Sequence, residues 1–377
     1  MKTSRLWSSL TLLFLGTCAS AGCANRPKDR PDTTASTIAI ANLDQQIVEM
    51  RDEVGVENLL LLRAQFLADY GSLDRAIELA EGHAASGQDL LARARARAAG
   101  HRFADALDDI EAARRVGVPD DQIRPLRASI LIATGRANEV AAELKAGLTQ
   151  HPGLASRSML AAAYASMGRT EDADRLYVIA LAGLDTTLPF PYAWICFARG
   201  VMWAEQGQNP KRAEAMYLKA LAYVPEFAAA NINLAELEMA HGDNDAARER
   251  LSRVAHSTNE PEAVALLGVL DKRRGELAIG EEEISQARQR FESLLARDPL
   301  AFADHAAEFY LGPGRDPERA WLLAKQNLAN RETDRSVALA VKAAEATGRY
   351  ADACTLLRDH GSSVQIYLDS LNRILVQ

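Results

Sequence analysis

Through the body of the chain, apolar and small positions return at set intervals. Gly207 is followed by Ala213, by Tyr217 four residues later, by Ala220 three after that, and by Pro225. The same order of small, bulky, small or apolar, and terminator recurs at Val140, Leu144, Gly147 and Pro152, and at Ala173, Tyr177 and Ala180. It returns at Ala247, Leu251 and Val254, and at Ala287, Phe291, Leu294 and Pro299. Steps of four and three place these side chains on one face of a helix. Before each copy runs a further apolar helix that ends near a glycine: Gly71, Gly100, Gly135, Gly168, Gly207, Gly242, Gly275 and Gly348. Glycine suits that place because it enters the left-handed region without a Cβ clash.

The glycines up to Gly275 are spaced by 29, 35, 33, 39, 35 and 33 residues. Each unit therefore reads as two antiparallel helices. Small residues such as Ala161, Ala173, Gly200, Ala213, Ala235 and Ala247 let backbones approach, and Tyr164, Tyr177, Trp203, Tyr217, Leu251 and Phe291 fill the space between units. Proline stops the second helix and turns the chain into the next unit.

With a mean spacing close to the 34 residues of a tetratricopeptide repeat, residues 57–359 resemble that family in about nine units. The resemblance implies an all-α, right-handed superhelical solenoid of antiparallel helix pairs. An apolar-faced helix at 363–377 is expected to cap it, as open arrays need. Three departures stand out: a longer connection at Leu184–Tyr192 with Pro189 and Pro191, an insertion at Glu276–Ser285 that lengthens a helix, and an eighth unit (Phe302–Leu328) interrupted by Leu311-Gly312-Pro313-Gly314.

Members of the family bind peptides or protein segments along the concave face, lined by the first helix of each unit. Carried over, the inward positions are Trp194, Phe197, Val201 and Glu205 in one unit, Ile232, Glu236 and Met239 in the next, and Val269, Lys272 and Arg273 after that. Aromatics make up only 6% of the chain, which singles out Trp194 and Phe197 as an anchor pair for a partner. The adjacent Phe190-Pro191-Tyr192 leaves open that they pack the irregular connection instead.

The first 22 residues change the picture of location. Lys2 and Arg5 precede the apolar run Leu10–Gly16, which is too short to span a bilayer and suits a signal-peptide core. Ala19-Ser20-Ala21-Gly22-Cys23 resembles the lipobox of bacterial lipoproteins, in which the Cys becomes the lipidated N-terminus. Ser20 stands where Leu is usual, so ordinary cleavage after Ala19-x-Ala21 stays open, and Leu15-Gly16-Thr17-Cys18 is a second, poorer match. Residues 23–41, with Pro27 and Pro31 and no apolar period, read as a tether that cannot offset its ordering by burial. The repeat domain then occupies 42–377. Ala24 is not the Asp that retains lipoproteins at the inner membrane, so the expected place is the periplasmic face of the outer membrane.

Charge narrows the partners. The chain carries a net −8, and loss of residues 1–22 removes two basic and no acidic side chains, leaving −10. Such a surface is a poor match for nucleic acid, and membrane contact is expected through the lipid anchor only.

A search for chemistry is nearly empty: there is no HExxH, GxSxG, phosphate-binding P-loop or GxGxxG, and no cofactor or catalytic residue is expected. His305 and Glu308, three apart on one helix, lack the third ligand a zinc site wants and read as a solvated pair. Asp243-Asn244-Asp245 lacks the Gly and Glu of a calcium loop and reads as a helix N-cap after Gly242. Gly312-Pro313-Gly314 reads as a turn between helices, and Glu281-Glu282-Glu283 as an exposed helical face. Cys196 and Cys354 lie several repeats apart, too far for a disulfide, and read as buried thiols. The leading functional expectation is a non-catalytic scaffold for envelope proteins or peptides. The alternative is an accessory protein for polysaccharide export or sugar handling.

Overall fold

A computed structural model describes residues 32–51, 53, 55–82, 86–150, 153–361, 364, 365, 367 and 368. Cys23 and the expected signal peptide lie outside the described residues. Helix α1 (Ser36–Met50) opens the fold, so the last part of the expected tether is helical, with Ala39 and Leu43 in the core. Nine helix pairs follow among the described residues. They are α2–α3 (Val56–Leu67, Tyr70–Gly82), α4–α5 (Gly87–Ala99, Phe103–Arg115), α6–α7 (Asp120–Ala133, Ala137–Gln150) and α8–α9 (Leu154–Ser166, Thr170–Ala182). Then come α10–α11 (Pro189–Glu205, Pro210–Tyr223), α12–α13 (Ala228–His241, Asn244–Ser257) and α14–α15 (Pro261–Arg273, Leu277–Arg297). The last two are α16–α17 (Pro299–Leu311, Pro317–Asn330) and α18–α19 (Asp334–Ala346, Tyr350–His360). No described residue is in a strand.

The two helices of each pair pack on one another, and first helices also touch first helices (α2 on α4, α4 on α6, α6 on α8, α14 on α16, α16 on α18), forming the inner layer. The repeat residues explain the closeness. Ala161, Ala173, Ala213, Ala235, Ala247 and Ala287 are fully buried, and Tyr177, Tyr217, Leu251 and Phe291 fill the gaps beside them.

Several expectations need adjusting. Prolines also start helices: Pro189, Pro210, Pro261, Pro299 and Pro317 stand at helix starts, where the missing N–H costs nothing. Five glycines do take positive φ after a first helix (Gly135, Gly168, Gly242, Gly275, Gly348), but at Gly71, Gly100 and Gly207 a neighbour adopts it: Ala68, His101 and Gln208. The insertion after Gly275 does lengthen a helix, α15, to 21 residues. Gly312-Pro313-Gly314 is the ordinary turn inside the α16–α17 pair, so the eighth unit is regular. Of the expected cap at 363–377, Val364, Gln365, Tyr367 and Leu368 are described as helical, and Val364 and Leu368 join the core.

The array also closes on itself. Tyr70 donates to the Glu260 carboxylate, Ser36 Oγ to Glu226 at 3.3 Å, and the Thr34 N–H to the Thr187 carbonyl at 2.8 Å. Arg297 pairs with Asp74, His101 Nδ1 lies 3.1 Å from the Leu300 carbonyl, and Asn330 Nδ2 donates to the His101 carbonyl at 2.9 Å. Phe66 packs on Phe190 and Phe227, with ring centroids 5.0 and 4.4 Å away. Most of these partners are 190 to 229 residues apart, which at 34 residues per repeat is about six repeats per superhelical turn. Gly135 marks the tightest approach: its φ is +82°, and a Cβ there would strike the Glu332 carbonyl. As a result α1–α3 share one hydrophobic core with α8–α19, while α4–α6 keep a small core of their own around Leu91, Phe103, Ile110 and Ile123.

Candidate functional site

Two cavities, each open to solvent on one side, lie along the inner helices. The first, about 540 Å³, has an apolar wall of Trp194, Phe197, Val201 and Phe227 and a polar wall of Glu205, Arg331 and Arg335, with Gln65 and Tyr367 brought in from the two ends of the chain. The second, about 430 Å³, lies between α12, α14 and α16 and has Met239, Leu266, Val269 and Phe309 as apolar lining. Its charged lining is Glu236, Glu262, Glu308, Lys272, Arg273 and Arg315, with His305.

Nine of the ten positions carried over from the family thus line a cavity: Trp194, Phe197, Val201 and Glu205 the first, Glu236, Met239, Val269, Lys272 and Arg273 the second. Ile232 lines neither; it is fully buried between helices. The aromatic pair divides its roles. Phe197 is 5% exposed, with its ring 4.8 Å from Phe227 and 5.9 Å from Tyr217, and belongs to the core. Trp194 is half-buried and turns its ring to the first cavity.

Between the cavities stands a buried charge cluster. Arg335 donates to Glu308 Oε1 at 2.6 Å and to Asp304 Oδ2 at 3.3 Å, and lies 3.9 Å from Glu205 Oε1. Arg331 bonds Asp304 as well. Burial works against every charge here. It pulls His305 down to about 4, leaving the imidazole neutral at neutral pH, so the two guanidiniums hold the Asp304 carboxyl far below its ordinary range. Glu308 goes the other way: burial, with Asp304 and Glu205 adding, pushes it up to about 8 against the pull of Arg335. Burial alone would lower Arg335, but Glu308, Glu205, Asp304 and Glu262 together raise it. A solvated His305–Glu308 pair is therefore corrected: Glu308 is 3% exposed and the His305 side chain 10%. They lie in the interior because the inner helices close around them. No group of three or more potential metal ligands occurs among the described residues.

Other sequence readings fall into place here. Asp243 is at the N-cap position of α13 but makes no side-chain cap bond. Glu281 and Glu282 are exposed, whereas Glu283 is partly buried and pushed up to about 7 by burial and by Asp271. Cys196 is buried, but Cys354 is exposed. Sequence reasoning missed Asp304 and Arg335, whose only signal was their charge on otherwise apolar first-helix faces, and Arg331, in the turn before α18.

A superhelix of stacked helix pairs defines a helical-repeat solenoid. Residues 205–270 match the family model of the tetratricopeptide repeat. A search of the curated proteins gave no match. Among solved structures the chain is similar to the APC/C hetero-tetramer Cut9-Hcn1, at 14% identity over 91% of this chain and 67% of that one, with a TM-score of 0.48. It is also similar to a tetratricopeptide repeat protein from Parabacteroides merdae (17% identity, 68% and 98% coverage, TM-score 0.38). A thermophilic tetratricopeptide repeat protein of Thermus thermophilus matches at 22% identity, over 46% of this chain and 91% of that one, with a TM-score of 0.37.

Proposed function

We propose that this protein is a non-catalytic scaffold of the bacterial cell envelope, held by a lipid on Cys23, that binds a segment of a partner protein in its inner channel. The observation that carries the binding reading is the first cavity, whose lining combines the half-buried Trp194 with the charged Glu205, Arg331 and Arg335. An apolar anchor surface combined with charged groups is how a peptide is gripped and set in register. The envelope part is supported by the charged start, short apolar run and small residues before Cys23.

The test is capture of partners from bacterial membranes, followed by affinity measurements with Trp194→Ala and Glu282→Ala. Loss of a central aromatic anchor costs about 2 kcal/mol or more, roughly thirtyfold in affinity. Trp194 is the better probe than Phe197, whose truncation would open the core. Equal binding by both variants would place the partner outside the channel.

A further inference from the structure

The second cavity has a polarity that specifies more than a generic groove. We infer that its inner end accepts the basic end of a Lys or Arg side chain from the partner segment, with Glu308 as the receiving carboxylate. This rests on the reading that the channel takes a protein segment.

Three observations carry it. First, acids outnumber bases at this end. Two guanidiniums, Arg335 and the Asp304-bound Arg331, face four carboxyls, Glu308, Glu205, Asp304 and Glu262. His305, the remaining basic group, is neutral. Second, Glu308 is 3% exposed, lines the cavity, and bonds Arg335 through Oε1, while its Oε2 is buried with no hydrogen-bond partner. Glu205 Oε2, on the side of the first cavity, is in the same condition. A buried carboxylate oxygen left without a donor is costly, and a charged N–H donor is the group that satisfies it best. Third, the lining beside Glu308 suits an aliphatic stem: Met239, Leu266 and Val269 are apolar and buried or partly so. The cavity's own cations are engaged or turned to solvent. Lys272 is bound to Glu281, and Arg273 and Arg315 are exposed.

The experiment is a panning of displayed random dodecapeptides on the full chain, followed by affinity measurements on synthetic winners. Enriched peptides should contain a Lys or Arg whose replacement by norleucine weakens binding at least tenfold. Glu308→Gln should weaken the parent peptide to a similar degree and leave the norleucine peptide unchanged, because the two changes remove one interaction. Melting curves check that Glu308→Gln is folded, and Glu262→Gln provides a second variant at the same end. Winners that lose nothing with norleucine, yet lose binding in Trp194→Ala, overturn the cation assignment and leave the channel reading standing. Winners indifferent to Trp194→Ala, Glu262→Gln and Glu308→Gln alike, or no enrichment at all, overturn both.

Discussion

The helix pairs stand or fall on contacts such as the one between α10 and α11, where Gly200 lies against the ring of Tyr217. A Cβ built on Gly200 falls 2.5 Å from Tyr217 Cδ1, far inside van der Waals contact. Tyr217 cannot simply rotate away, because it is 1% exposed and its hydroxyl bonds Asn233 Oδ1 at 3.1 Å. Gly200→Ala therefore sets two effects against each other. Alanine in a helix interior gains about 1 kcal/mol over glycine. Overpacking costs about 1–3 kcal/mol, and displacing the ring forfeits a hydrogen bond of about 1 kcal/mol. The net expectation is a loss of about 1–3 kcal/mol, which at about 2–4 °C per kcal/mol in large domains is a fall of several degrees in melting temperature. The internal control is Gly147→Ala in α7, where nothing lies within 4 Å of the added carbon; it should stabilise by about 0.5–1 kcal/mol. Thermal and urea melts of both variants, compared as midpoints because repeat arrays need not unfold in one step, give the answer. A Gly200→Ala protein that melts at or above the wild type would refute the close-packing argument.

Three further outcomes are expected. Metabolic labelling with a palmitate analogue should mark the wild type and not Cys23→Ser; equal labelling of the two, or none, rules out a lipid on Cys23. In the folded protein a maleimide should modify Cys354, which is exposed, and spare Cys196, which is buried and whose thiol burial pushes up to about 11; mass spectrometry of tryptic peptides reads this directly. Glu308 is raised from 4.5 to about 8 on folding, so the unfolded chain gives up this proton first. Its contribution to stability is complete below pH 4.5 and is lost as pH rises towards 8. Glu308→Gln should accordingly flatten the decline in melting temperature between those pH values, and an unchanged slope would show that another group is responsible.

The local pattern alone settled the helices and their pairing. Ala213, Tyr217 and Ala220, with copies along the chain, mark one helical face because steps of four and three follow the 3.6-residue turn. The 21-residue α15 followed from the ten extra residues after Gly275 in the same way. These are short-range facts, and they needed no knowledge of what lay across the molecule. The inward faces were legible too, since apolar first-helix positions such as Trp194, Val201 and Met239 do line cavities. What the pattern could not reach is how those faces meet. The bond from Tyr70 to Glu260 spans 190 residues, and it exists only because small rotations between neighbouring repeats add up over about six units to a closed turn. That closure put Ile232 wholly inside and carried His305 and Glu308 from an expected surface into the interior. It also gathered Glu205, Asp304, Glu308, Arg331 and Arg335 from three first helices and the turn before α18 into one cluster. A charged residue on an apolar face has the same letter whether solvent or another turn of the solenoid lies opposite, and only the pitch of the superhelix decides which.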